Sequence, residues 1–149
     1  YIPTREGWLY LAAVLEVYSR AIVGWAMSHT LGGQLTTDAL AMAISRRGVP
    51  ELVHSDRGST YATSIYLDLI RKHGIRQSMS RKGNCWDNAP MESFFHSLKT
   101  ELVMHRDYKT RDQARASLFD YMEVFYNRQR RHSTINYVAP LAFEESTRA

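Results

Sequence analysis

Two acidic side chains stand out for the chemistry they could perform together. Asp56 lies in the hexapeptide His54-Ser55-Asp56-Arg57-Gly58-Ser59, where a short strand-like run ends. In open α/β sheets ligands meet the loops at strand ends, so a carboxylate there can project into a crevice. Taken alone, Asp56 is explained as well by an acid that caps the following turn, with Gly58 supplying backbone freedom. Glu92 falls near the start of a helical pattern, where an acid also suits the positive end of the helix dipole. Thirty-five residues separate the two, and the intervening strand and loop can bring the helix start back beside the strand end. Two carboxylates converging on hard Mg²⁺ can position ions that activate the attacking oxygen and stabilise the leaving oxygen of an in-line phosphoryl transfer.

The elements needed to position these acids are legible in the pattern. From Trp8 to Val17 and from Ile22 to Ser28 run two segments rich in aliphatic and aromatic residues, joined by the polar Tyr18-Ser19-Arg20, which reads as an antiparallel hairpin. Tyr1-Ile2-Pro3 reads as the end of an earlier strand. Thr36 and Thr37 before Asp38 predict a helix start, the apolar positions Leu40, Ala43 and Ile44 its buried face, and Gly48 with Pro50 its end. A strand from Glu51 to His54, a helix from Thr63 to His73 closed by Gly74, and a strand from Ile75 to Met79 follow. The order is β-β-α-β-α-β. Residues 80–88 carry Gly83, two Asn and Asp87 and read as a mobile loop. Pro90, suited to a first helical position, opens a helix with Met91, Phe94, Phe95, Leu98 and Leu102 as its buried stripe. Glu92, His96 and Lys99 share a neighbouring face of it. Thr110 and Gln113 form a capping box before another helix that buries Ala114, Leu118, Tyr121, Met122 and Phe125.

Composition bounds the partners. An apolar content of 44% and an aromatic content of 11% suffice for a compact core, and 149 residues fit one domain, with a basic helical tail from about residue 126. Nineteen Lys and Arg against 15 Asp and Glu give a net charge of +4, which suits a polyanion without requiring one. The lone Cys85 rules out an internal disulfide and is compatible with a reducing cytoplasm. The apolar stretch from Trp8 to Leu15 is far shorter than the roughly 20 residues of a membrane-spanning helix.

Four blocks, taken in order, carry a more specific signal: His54 to Ser59 (HSDRGS), Lys82 to Asn88 (KGNCWDN), Met91 to Glu101 (MESFFHSLKTE) and Tyr126 to Ser133 (YNRQRRHS). They resemble the successive signatures of bacterial insertion-sequence transposases, whose core is similar to retroviral integrase. The opening from Gly7 to Trp25 resembles the first hairpin of the same family. The resemblance implies a ribonuclease H-like α/β fold, a mixed sheet flanked by helices, with an Asp-Asp-Glu triad that holds two Mg²⁺ ions, Mn²⁺ serving as substitute. It implies strand transfer of transposon DNA ends into target DNA, oligomers of the chain on that DNA, no membrane, and a cytoplasmic, nucleoid-associated place in a bacterium. Asp56 matches the second acid and Glu92 the third. The first acid matches nothing in the chain; in the family it lies in the strand just before Tyr1. The expectation is that most of the first strand is missing and that the chain alone binds metal poorly and is impaired. Glu16 matches a family position outside the triad.

Further residues carry paired readings. Lys99 stands where related integrases have a lysine that approaches DNA, or is a solvated helix charge. Arg57 contacts a phosphate or faces solvent. Asn84, Trp86 and Asn88 lie in the loop beside the acids and read as contacts to the DNA end, with Trp86 alternatively a core anchor. Arg128, Arg130 and Arg131, with His132, form a basic cluster that can neutralise phosphates or decorate the surface. Tyr126 and Tyr137 flank it and are expected to pack. His54, His96 and His132 are assigned no catalytic role. Two rival functions remain: a ribonuclease H-like nuclease that only cuts, and a non-catalytic DNA-binding or assembly module.

Overall fold

The computed structural model describes residues 1–56, 58–79 and 89–147. Strands β1 (Ile2–Thr4), β2 (Gly7–Leu15) and β3 (Ile22–Ser28) form an antiparallel meander, with Ile2 opposite Leu9 and Ala12 opposite Ala26. A register irregularity between Val14 and Leu15 precedes the turn to β3, in which Arg20 adopts a positive φ of 67°. Helix α1 (Gly33–Arg47) crosses this meander. Strand β4 (Leu52–Ser55), helix α2 (Ser64–Lys72) and strand β5 (Arg76–Met79) follow, and β4 pairs with β5 in parallel. The class is the expected mixed α/β, although among the described residues the strands hydrogen bond as two groups, three antiparallel and two parallel.

The two faces of the meander are covered differently. Alternate residues of a strand point to opposite faces, and so Leu9, Ala13 and Ile22 join the larger core, while Ala12 packs on Leu35 and Ala39 of α1. The second approach is very close. A Cβ built on Gly24 would stand 2.3 Å from the Ala39 carbonyl oxygen, so any side chain there would push α1 off the sheet. On the first face lie α3 (Ala89–Glu101) and α4 (Arg111–Phe119), which continues directly into a π-helical segment, Asp120–Tyr126. A short helix α5 (Pro140–Ser146), with Pro at its first position, closes the described chain.

Four expectations change. Helix α1 begins at Gly33, not at Thr36 or Thr37; both threonines are buried inside it, and their hydroxyls donate back to the Gly33 carbonyl, at 3.1 and 2.6 Å. Such back-bonding within one turn competes with the capping role that the sequence suggests. At Thr110 the cap is as expected, its hydroxyl accepting from the Gln113 N–H, but the Gln113 side chain reaches the Lys109 N–H rather than that of Thr110. The wider π turn then rotates the following residues. Phe125, expected in the buried face, turns outward at 37% exposure, while Tyr126 packs in the core at 4%, as expected. Tyr137, expected to pack, is 69% exposed.

Candidate functional site

Asp56 immediately follows β4 and is exposed. Its Oδ1 accepts from the Gly58 N–H at 2.7 Å, the local turn that the sequence offered as the ordinary reading. A Cβ on Gly58 would stand 2.8 Å from the same oxygen, so glycine keeps that side of the carboxylate clear. The loop beyond is tied to the start of α1, since the Thr36 hydroxyl shares its proton between the Gly33 carbonyl and the Thr60 carbonyl, the latter at 2.9 Å. Burial, and then the Asp56 charge, raise the pKa of the Tyr61 phenol above its ordinary value, which places that ring within electrostatic reach of the acid.

Glu92 stands in the first turn of α3 and is exposed. The helix is seated by Phe94, Leu98 and Leu102, at 0%, 1% and 9% exposure, in the core that also holds Ile2 and Leu9. Met91 and Phe95 pack at the edge of that core. A cavity of about 510 Å³ separates β2 from β4, and its lining includes Val14, Leu15, Val53, His54, Tyr61 and Met91. Thus the residue before Glu92 and the residue two before Asp56 line one space. Among the described residues neither Asp56 nor Glu92 has an ion-pair partner. Two carboxylates are hard oxygen donors of the type Mg²⁺ takes; among the described residues no group of three His, Cys, Asp or Glu is placed to hold a metal.

Lys99 is exposed on α3. Arg57, Asn84, Trp86 and Asn88 lie outside the described residues. The basic cluster is divided by the fold. Arg128 and Arg131 are exposed and have no ion-pair partner among the described residues. Arg130 is engaged inward, its Nε donating to both carboxylate oxygens of Glu101 at 2.8 and 2.9 Å. His132 is buried against the Tyr126 ring. Glu16 accepts from the Tyr18 N–H within the β2–β3 turn.

Sequence reasoning missed the polar anchors. Asn127, 3% exposed, pairs with β3 as a strand would: its Oδ1 accepts from the Ile22 N–H at 2.8 Å and its Nδ2 donates to the Ile22 carbonyl at 2.9 Å. Glu123 accepts from Trp25 Nε1 at 2.8 Å and Arg46 at 2.6 Å. Burial alone would raise the pKa of this carboxyl, but those bonds hold it below the usual carboxylate range. Glu144 receives a bidentate Arg47 and the buried Ser19 hydroxyl. Only the position of Asn127, inside the Tyr126 to Ser133 block, hinted at such a role.

The fold is that of the retroviral integrase catalytic core, ribonuclease H-like. A chain of the simian T-cell lymphotropic virus intasome in complex with PP2A regulatory subunit B56 gamma superposes with a TM-score of 0.72 at 16% identity, over 93% of this chain and 49% of that one. The HTLV-2 integrase catalytic core domain in complex with magnesium, in its trimeric form, gives 0.61 at 14% identity, over 91% and 82%. The integrase core domain family matches residues 1–85 and again 92–147. Transposase InsF for insertion sequence IS3A of Escherichia coli (strain K12) is 47% identical over 100% of this chain and 52% of its own length. The insertion element IS600 uncharacterized 31 kDa protein of Shigella sonnei is also 47% identical, over 97% and 54%. The chain belongs to the integrase core domain family. It spans about half the length of these curated relatives. Among the described residues no helix is long and apolar enough to cross a membrane.

Proposed function

We propose that this chain is the catalytic core of an enzyme that cuts DNA at the ends of a mobile element and joins them to target DNA. The observation that carries the reading is the pair of exposed carboxylates, one following β4 and one in the first turn of α3, whose neighbours His54 and Met91 line a common cavity. Asp56 and Glu92 would hold the divalent ion, magnesium or manganese in its place. When bound, such ions supply Lewis-acid polarisation of the phosphate and a more acidic attacking hydroxyl. The chain's own part is to aim. Helix α3 fixes Glu92 on a rigid base, and the Gly58 N–H orients the Asp56 carboxylate. Neither acid need become a nucleophile, so no covalent enzyme intermediate forms; water or a DNA 3′-hydroxyl attacks directly. Lys99, Arg57, Arg128 and Arg131 would neutralise phosphates, and Asn84, Trp86 and Asn88 would meet the DNA end. Pairing two ends calls for more than one copy of the chain on DNA.

The test is strand transfer by the transposase containing this core, with Asp56→Asn and Glu92→Gln. Each is expected to lower joining and cleavage together by about a thousandfold, the worth of several kcal/mol of lost transition-state stabilisation, while duplex binding persists. Retained joining by either variant would overturn the assignment. Cleavage without joining by the unaltered protein would favour a nuclease on the same fold.

A further inference from the structure

We infer that Arg130 is a positioning residue for α3 rather than a phosphate ligand, setting the rotation of the helix that carries Glu92. This rests on the reading of Glu92 as a catalytic carboxylate. Arg130 grips α3 at two places: Nε reaches both oxygens of Glu101, and Nη2 donates to the Ser97 hydroxyl at 3.2 Å. Ser97 and Glu101 are four residues apart and so lie on one face, one turn from each other. Apolar packing of Phe94 and Leu98 presses the helix onto the sheet, but it is non-directional and tolerates small rotations. A planar fork bound at two points along a helix does not.

The fork is itself held. Its guanidinium carbon lies 5.8 Å from the centroid of the Tyr126 ring, and Nη1 stands 3.3 Å from His132 Nδ1. Glu101 takes a further bond from the Tyr121 hydroxyl at 3.3 Å. With Arg130 donating, His132 must accept at Nδ1 and carry its proton on Nε2. Two of the four sequence blocks, Met91 to Glu101 and Tyr126 to Ser133, therefore meet in one network. With Nε, Nη1 and Nη2 all engaged by groups of the chain itself, Arg130 has little left to offer a phosphate. Arg131, next to it, is exposed.

The decisive substitution is Arg130→Lys, which keeps the charge and removes the fork. In the transposase, with strand transfer measured at saturating DNA and end-duplex affinity measured across a salt series, Arg130→Lys and Arg130→Ala should both slow the reaction, by about a hundredfold if the carboxylate is displaced by about 1 Å. Affinity and salt slope should stay unchanged. Arg131→Ala, by contrast, should lower the salt slope, by about 0.9 for each phosphate that is no longer neutralised. The double reversal Glu101→Arg with Arg130→Glu should recover rate relative to Arg130→Glu alone, and it decides the matter should Arg130→Ala fail to fold. A wild-type rate for Arg130→Lys, or weakened affinity and salt slope with an intact saturated rate for Arg130→Ala, would overturn the proposal. Glu92→Gln in the same assay separates the two readings: if it retains activity, the role of Glu92 falls whatever Arg130 does.

Discussion

The two candidate acids stand on regions held in different ways. Helix α3 belongs to a region that is bolted down: Phe94 and Leu98 of its apolar stripe are fully buried, Arg130 grips its far end, and the segment after α4 is pinned by Asn127 to β3 and by Glu123 to Trp25 and Arg46. Asp56 instead leaves a four-residue strand that pairs only with another of four residues among the described residues, over the small cluster of Leu40, Tyr66, Ile70 and Ile75. A small buried apolar cluster means a low local opening free energy. The contrast teaches a division of labour, one acid on a fixed base and the other on an element able to adjust to a ligand.

The largest test of this contrast is in the cores. Phe94→Ala, at a residue with 0% exposure packed edge-on against Tyr126, should cost about 3–5 kcal/mol in denaturant unfolding. Ile70→Ala, in the smaller cluster, should cost about 2 kcal/mol and speed amide exchange in β4 and β5 more than in β2. Equal losses, spread evenly over the amides, would break the comparison.

Next is Asn127→Ala, which leaves the Ile22 N–H and carbonyl without their partners; a cost of about 1–3 kcal/mol is expected, with faster exchange at Ile22. An unchanged midpoint would mean that water replaces the amide freely. Smaller still is a pH effect at His132. Burial, and then the Arg130 charge, lower its pKa below the ordinary 6.5. The fold therefore favours the neutral ring, so this contribution is complete above about pH 6.5 and is lost as pH falls through the lowered value. His132→Gln should flatten that part of the stability profile, and a profile unchanged by the substitution would argue against it. At the bottom, Asp107→Asn should leave the melting temperature unmoved, because the Arg5–Asp107 pair is solvent-exposed.

The order of elements was legible in the sequence, because hydrophobic period and turn residues agree over most of the chain. The hairpin pairing through Ala12 and Ala26, the Gly74 end of α2 and the Phe94-Leu98-Leu102 stripe all follow from local pattern. Failures came where side chains or backbone departed from the regular case. Threonine hydroxyls bonded back inside α1 instead of capping it, and a π turn, which has no residue signature, carried Phe125 out of the buried face. At the candidate site the identities of Asp56 and Glu92 were legible as types at a spacing, strengthened by the resemblance. The engagement of Arg130 was not, because composition shows a charge and not the direction in which it points. Its partner Glu101 lies twenty-nine residues away, a separation that no short-range pattern reports.

The most direct test of the central claim is an anomalous-scattering map of Mn²⁺-soaked crystals of the transposase containing this core, bound to a transposon-end duplex. The expected result is a peak ligated by carboxylate oxygens of both Asp56 and Glu92, beside the scissile phosphate. A peak elsewhere on the chain, or none with the two carboxylates far apart, would contradict it.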